Sequence, residues 1–254
     1  MFKIRRTLIA ANWKMYKTVG EAKNFIKEFL PLTDTVEDTE IVICPPFTCL
    51  PLLSGELRES RINLGAQDVF WADQGAYTGE ISPVMLLDLN CRYVIVGHSE
   101  RRQLIGEDNS LINLKLKAAS EAGLVPIFCV GETLAQRQQN QARQVVQEQL
   151  EQGLMNILPQ ELVVAYEPVW AIGTGVNASP GDAWEMAGFI REYLAIIKDR
   201  KWAENVRILY GGSVKPDNIA QFAAQPDVDG ALVGGASLVA DDFIRIVRLN
   251  KDVC

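Results

Sequence analysis

Val94-Ile95-Val96-Gly97-His98-Ser99-Glu100-Arg101-Arg102 passes from a continuous apolar run directly into polar residues, and it contains the only histidine of the chain. An uninterrupted apolar run, without polar alternation, is what a parallel strand covered on both faces requires. A group that exchanges protons near neutrality at the end of such a strand is a place to look for chemistry. Taken alone, a single histidine reads equally as a structural or surface residue.

The pattern recurs outward from this segment. Apolar runs span Leu8 to Ala11, Ile41 to Cys44, Ile62 to Ala66, Tyr93 to Val96, Val125 to Val130, Leu162 to Ala165, Val206 to Leu209 and Ala231 to Val233. Stretches of helical period lie between them. Asn109 to Ala122 repeats Leu111, Leu114, Ala118 and Ala122, while Leu134 to Ile157 carries Val145, Leu150, Leu154 and Ile157 through a glutamine-rich helix with a solvated face. Ser179-Pro180-Gly181-Asp182 has the order of a helix start, and Lys215-Pro216-Asp217-Asn218 supplies a second one.

Strand and helix candidates alternating at roughly 32 residues per unit predict an α/β fold: a TIM barrel, the closed eight-stranded parallel βα barrel. A doubly wound sheet shares that alternation. However, no Gly-x-Gly-x-x-Gly follows the first run and no Ser/Gly/Pro-rich linker divides the chain, so residues 1–254 read as a single catalytic domain.

Bulk composition narrows the function. Of 254 residues, 48% are hydrophobic and 22% charged, which argues against wholesale disorder. Twenty-five Lys and Arg against 32 Asp and Glu give a net charge of -7, with no basic block to bind nucleic acid or an anionic membrane. Cys44, Cys49, Cys91, Cys129 and Cys254 are scattered, with no Cys-x-x-Cys pair for zinc, and point to a reducing, cytoplasmic setting. The apolar stretch before Asn12 is too short for a membrane span and lacks a signal-peptide profile.

Barrels place their chemistry at the carboxyl ends of strands, so residues distant in sequence can be pooled into one site. They are Asn12 and Lys14 after the first run, His98 after the fourth, Glu167 after the sixth, Ser213 after the seventh and Gly234-Gly235 after the eighth. Glu167 is either a partly desolvated base able to take a proton from carbon or a salt-bridge partner at a loop entrance. Ala171 to Ser179, small and glycine-containing, is either a lid that excludes water or a simple turn. The glycine pairs Gly211-Gly212 and Gly234-Gly235 allow backbone amides to approach a phosphate. The loop Gly75 to Glu80, with Tyr77 and Thr78, either enters a partner subunit or lies on the surface.

Ala11-Asn12-Trp13-Lys14-Met15, Gly97-His98-Ser99-Glu100-Arg101-Arg102, Ala165 to Gly175, Tyr210-Gly211-Gly212-Ser213-Val214 and Leu232 to Leu238 together resemble the triosephosphate isomerase family over nearly the entire chain. The resemblance implies isomerisation of dihydroxyacetone phosphate to D-glyceraldehyde 3-phosphate through an enediolate, with no metal or organic cofactor. On matching positions, Glu167 is the carbon base, neutral His98 the electrophile and proton shuttle, and Lys14 and Asn12 bind substrate. Gly173, Ser213, Gly234 and Gly235 match the phosphate-binding positions. Glu100 matches the carboxylate beside Lys14, and Cys129 a cysteine that packs near Glu167. Tyr210, Ser213, Gly173 and Ala178 match residues that latch the lid. The segment from Gln67 to Ser82 resembles an intersubunit loop, with Thr78 approaching the other subunit of a homodimer.

Three positions depart from the family pattern: Ala11 in place of a frequent glycine, Tyr16 in place of a frequent histidine, and Val176 at a lid hinge that often holds lysine. None is a matched catalytic side chain. Another phosphate-binding barrel enzyme, or a barrel used only for binding, are the competing readings; the latter predicts that the polar strand-end residues do not converge.

Overall fold

The structure is a computed structural model that describes residues 5–157, 159–171 and 178–249. Parallel strands β1 (Thr7–Asn12), β2 (Thr39–Cys44), β3 (Ile62–Ala66), β4 (Cys91–Val96), β5 (Val125–Val130), β6 (Val163–Tyr166), β7 (Arg207–Tyr210) and β8 (Gly230–Val233) pair in sequence order. β8 returns to β1 with Ala231 opposite Ile9, which closes the eight-stranded barrel. Each apolar run of the sequence supplies one strand.

Helices α1 (Val19–Phe29), α2 (Leu50–Glu56), α3 (Pro83–Asp88), α4 (Asn109–Ala122), α5 (Leu134–Gln138), α6 (Ala142–Gly153), α7 (Pro180–Ile197), α8 (Arg200–Ala203), α9 (Ile219–Ala223) and α10 (Ala240–Val247) occupy the connections and follow β8. The two-residue period of the strands sorts their side chains into two cores. Leu8, Val42, Ile95, Ile127 and Leu209 fill the barrel, whereas Ile9, Ile43, Val94, Phe128 and Ile208 pack under the helices. Both faces are buried, which is why the strands read as continuous apolar runs.

Charges close the amino end of the barrel. Tyr93 Oη donates to Glu40 Oε1 at 2.6 Å, Arg207 reaches Glu40 Oε2 at 2.5 Å and Tyr93 Oη at 2.9 Å, and Asn63 Nδ2 donates to Glu40 at 3.1 Å. Burial disfavours charge on Glu40, but the Tyr93 hydroxyl and the Arg207 guanidinium outweigh it and hold the carboxyl below its ordinary range.

Two helix expectations are corrected: the buried face of α4 is Ile112, Lys115, Leu116 and Ala119, not Leu111, Leu114, Ala118 and Ala122. Leu134–Ile157 is not continuous: α5 and α6 are separated at Gln139–Gln141, where Asn140 has a left-handed φ of 57°. Asparagine tolerates that conformation, and the polar run from Gln136 to Gln141 offers no apolar anchor to carry the helix across the barrel. The start of α7 is as expected: Asp182 N donates to Ser179 Oγ at 3.1 Å, and the Asp182 carboxylate accepts from Ser179 N at 2.9 Å.

Candidate active site

The carboxyl ends of the strands enclose a cavity of about 580 Å³ whose walls include Asn12, Lys14, His98, Glu167, Ser213, Gly234 and Gly235. These expected residues therefore converge. Gly173 lies outside the described residues, as do Val176 and Cys254.

Glu167 follows β6 in phase with Val163 and Ala165, so the strand directs it inward, where it is 2% exposed. Its Oε1 lies 2.9 Å from His98 Nε2, and its Oε2 accepts from the Ser99 amide at 2.9 Å. Ser99 Oγ adds a contact to Oε1 at 3.3 Å. Burial opposes ionisation of this carboxyl, but His98, the Ser99 amide and Lys14 outweigh it and hold its pKa below the ordinary glutamate value.

His98 has the opposite problem of phase. Strand alternation would send it outward with Val94 and Val96. Gly97, at φ 74°, breaks the alternation where a Cβ would sit 3.1 Å from Ile112 and 3.2 Å from the Arg102 guanidinium. Nδ1 of His98 accepts the Glu100 amide at 3.2 Å, leaving the proton on Nε2, the pattern of a neutral ring. Burial disfavours a second proton, but the facing Glu167 carboxylate outweighs burial and raises the imidazole pKa.

Lys14 adopts a left-handed φ of 50°. The Asn12 side chain accepts its amide at 3.0 Å, and Gln67 Nε2 donates to its carbonyl at 2.8 Å, so the unfavourable backbone is held from both sides. The ammonium meets Glu100 Oε1 at 2.5 Å. A Cβ on Gly234 would lie 3.4 Å from Lys14 Cε, which puts this cation against the glycine end of the cavity.

The glycines after β7 leave room that no other residue would. A Cβ on Gly211 would stand 2.9 Å from Glu167 Cγ, and one on Gly212 would stand 2.1 Å from Tyr210 Oη. Tyr210 stacks on Phe222 at 4.1 Å, and its hydroxyl is buried with no hydrogen-bond partner among the described residues. Cys129 is fully buried inside the barrel beside Glu167, and burial pushes its thiol well above the ordinary range. Thr78 is exposed on the connection between β3 and α3, away from the cavity.

Three contributors were not singled out from the sequence. Ser99 supplies two contacts to Glu167. Glu132, fully buried, accepts from Trp170 Nε1 at 2.8 Å and from Tyr166 Oη at 3.1 Å, and lies 3.3 Å from Arg137. Its place just past β5 was the available signal. Gln149 was read as part of a solvated face, yet it is buried; with Val146, Leu150 and Gly153 it forms the inward stripe of α6. Among the described residues no group of three His, Cys, Asp or Glu side chains is placed to hold a metal ion, and no helix is long and apolar enough to cross a membrane.

A carboxylate and an imidazole in contact at the strand ends, a cation beside them and glycines at the mouth define a βα-barrel enzyme of the proton-transferring isomerase class. The sequence profile of the triosephosphate isomerase family matches residues 7–250, and the chain belongs to that family. A triosephosphate isomerase of Dictyoglomus turgidum is 54% identical over 248 residues, covering 96% of this chain and 100% of the relative. One from Dictyoglomus thermophilum is 52% identical over the same span, again 96% of this chain and 100% of the relative. One from Geotalea uraniireducens is 51% identical over 251 residues, 98% of this chain and 100% of the relative.

Proposed function

We propose that Glu167, His98, Lys14 and Asn12 carry out the family's interconversion of dihydroxyacetone phosphate and D-glyceraldehyde 3-phosphate through an enediolate. The observation that carries this assignment is the 2.9 Å contact between the Glu167 carboxylate and His98 Nε2 inside a cavity that also holds the Lys14 ammonium.

A proton alpha to a carbonyl is weakly acidic, so its removal needs a carboxylate at carbon and a donor at oxygen together. Glu167 is kept ionised by its neighbours and is the base. His98, with its proton on Nε2, polarises the carbonyl and passes protons between the two enediolate oxygens. Lys14 and Asn12 favour the negative charge that develops there, and Glu100 holds Lys14 in place. Both oxygens of Glu167 are engaged by His98 and Ser99, so reaching a carbon requires those contacts to be exchanged.

Ser213, Gly234, Gly235 and Gly173 are the phosphate site in this reading. Contacts to the non-reacting phosphate supply binding energy for the rearrangement at the carbons. Closure over the enediolate would exclude water and suppress loss of phosphate. The Tyr210 hydroxyl, without a partner among the described residues, is suited to latching the lid edge near buried Ala178. The chemistry so assigned needs neither metal nor organic cofactor.

Residues 1–254 act as one catalytic domain in a cytoplasmic homodimer that binds neither nucleic acid nor membrane. The net charge of -7 and the free, buried Cys44, Cys49, Cys91 and Cys129 favour that setting. Exposed Trp71, Tyr77, Met15 and Met85 favour burial by a second copy, with Thr78 reaching its partner's site. Sedimentation of the protein as a monomer at micromolar concentration would count against the dimer.

Mixing the purified protein with dihydroxyacetone phosphate and following proton exchange and aldose formation by NMR tests the chemistry. Turnover that survives Glu167→Gln undiminished would remove Glu167 from the role of base.

A further inference from the structure

We propose that Gln149 is a positioning residue for the isomerisation: its side-chain amide clamps Gly131 and so fixes the backbone that backs Glu167. The inference rests on the reading of Glu167 as the base.

The pairing of β5 with β6 ends at Val130 opposite Tyr166, but the contact continues beyond the strands. Glu167 N donates to Val130 O at 2.8 Å and Val169 N to Glu132 O at 3.1 Å. Residues 130–132 are thus the wall against which the backbone of Glu167 rests. Their other edge has lost its neighbour: pairing of β4 with β5 ends at Val96 opposite Phe128, because Gly97 turns the chain away to deliver His98. In a parallel sheet, alternate residues bond to opposite neighbours, so Cys129 and Gly131 face the gap while Val130 and Glu132 face β6.

Two side chains take the missing strand's place. Arg102 Nη2 donates to Cys129 O at 3.2 Å. Gln149 does more: its Oε1 accepts Gly131 N at 2.7 Å and its Nε2 donates to Gly131 O at 3.1 Å. A primary amide offers a donor and an acceptor in the plane of a peptide without having to be protonated, which is what a vanished strand leaves unmet. The stripe of α6 formed by Val146, Gln149, Leu150 and Gly153 aims it there.

The clamp matters because nothing cushions Gly131 from Glu167. A Cβ on Gly131 would lie 1.8 Å from the Glu167 carbonyl oxygen, so the contact is backbone on backbone and any shift of Gly131 passes directly to the base. Packing does not hold Gly131 from the other side either, because a cavity of about 190 Å³ opens between Gly131, Gln149, Thr133, Ser99 and Glu167. The two hydrogen bonds are therefore what holds Gly131 on the side away from β6.

Gln149→Leu keeps the volume and removes both bonds; kcat is expected to fall roughly ten-fold, with KM changed by less than about two-fold, as for a small misplacement of a base. Gln149→Glu supplies a chemical rescue: its protonated carboxyl both donates and accepts, whereas its carboxylate only accepts and repels Gly131 O. The ratio of its kcat to that of the unsubstituted enzyme should rise as pH is lowered through the carboxyl range. Gln144→Ala, exposed on the same helix, is the control and should leave both constants unchanged. Unchanged kcat in Gln149→Leu, a deficit carried only by KM, or a Gln149→Glu ratio independent of pH would overturn the proposal. Should Gln149→Leu fail to fold, the pH dependence of Gln149→Glu decides it. Glu167→Gln, run in parallel, tests the base assignment separately: retained turnover there would remove the reading beneath the proposal, whatever Gln149 shows.

Discussion

His98 Nε2 and Glu167 Oε1 stand 2.9 Å apart, so the assigned electrophile and the assigned base occupy each other's reactive atoms. Each must trade that contact for one with substrate, and the energy of the trade belongs to the barrier. A cheap exchange demands that the surroundings hold both groups in readiness. The Ser99 amide does so for Glu167 and the Glu100 amide for His98.

The same contact sets a pH signature. Because burial's effect on His98 is outweighed by the Glu167 carboxylate and its pKa is raised, the protonated ring persists to higher pH than usual, while Glu167, with its pKa lowered, is already ionised. The active pair, carboxylate and neutral ring, therefore forms only as pH rises through the histidine value. The acid limb of kcat/KM should lie above about 6.5, the ordinary histidine value. In His98→Gln the fold is expected to persist, turnover to drop by roughly 10²–10⁴, and the limb to move down. A limb unmoved by that substitution would detach it from His98.

Tyr210→Phe separates stability from catalysis. The hydroxyl is buried without a partner among the described residues, so its removal should stabilise the fold by about 1 kcal/mol in urea unfolding. If it latches the lid, kcat should nonetheless fall roughly ten-fold, equivalent to about 1.4 kcal/mol of barrier. Unchanged kcat would remove the latch.

Lys115→Met tests a buried cluster beside the expected subunit loop. Lys115 Nζ lies 2.7 Å from Asp68 Oδ1 and 2.5 Å from Glu107 Oε1, and Arg101 is the other cation that pairs with both carboxylates. Loss of the lysine should destabilise the fold by about 3–5 kcal/mol, because two buried carboxylates then share one cation. Burial already raises the Asp68 pKa despite Lys115, so without the lysine it should rise further. Protonation then relieves the variant, and its deficit should shrink as pH is lowered. A deficit that grows in acid would contradict this sign.

Much of this architecture was legible because barrel physics acts locally. A strand covered on both faces is apolar throughout, so Val125–Val130 could be bounded to the residue. Glu167 was legible for the same reason, since it continues the inward phase of β6. The inward turn of His98 was not, because it depends on the positive φ of Gly97, which a glycine permits without requiring. Gln149 was hidden among glutamines that face water, although its spacing from Val146 placed it on the inward stripe. The division between α5 and α6 depended on Asn140, whose left-handed backbone an asparagine permits without requiring.

The charge lattice of Glu40, Asn63, Tyr93 and Arg207 joins β2, β3, β4 and β7 through side chains that all arise from the strands themselves. No connecting loop takes part. The barrel is thus cinched from the end opposite its chemistry, like a drawstring bag tied at the bottom. Contacts at the open end can be broken and remade on every catalytic cycle without slackening the wall, and loops there can change length or composition while the strands keep their register.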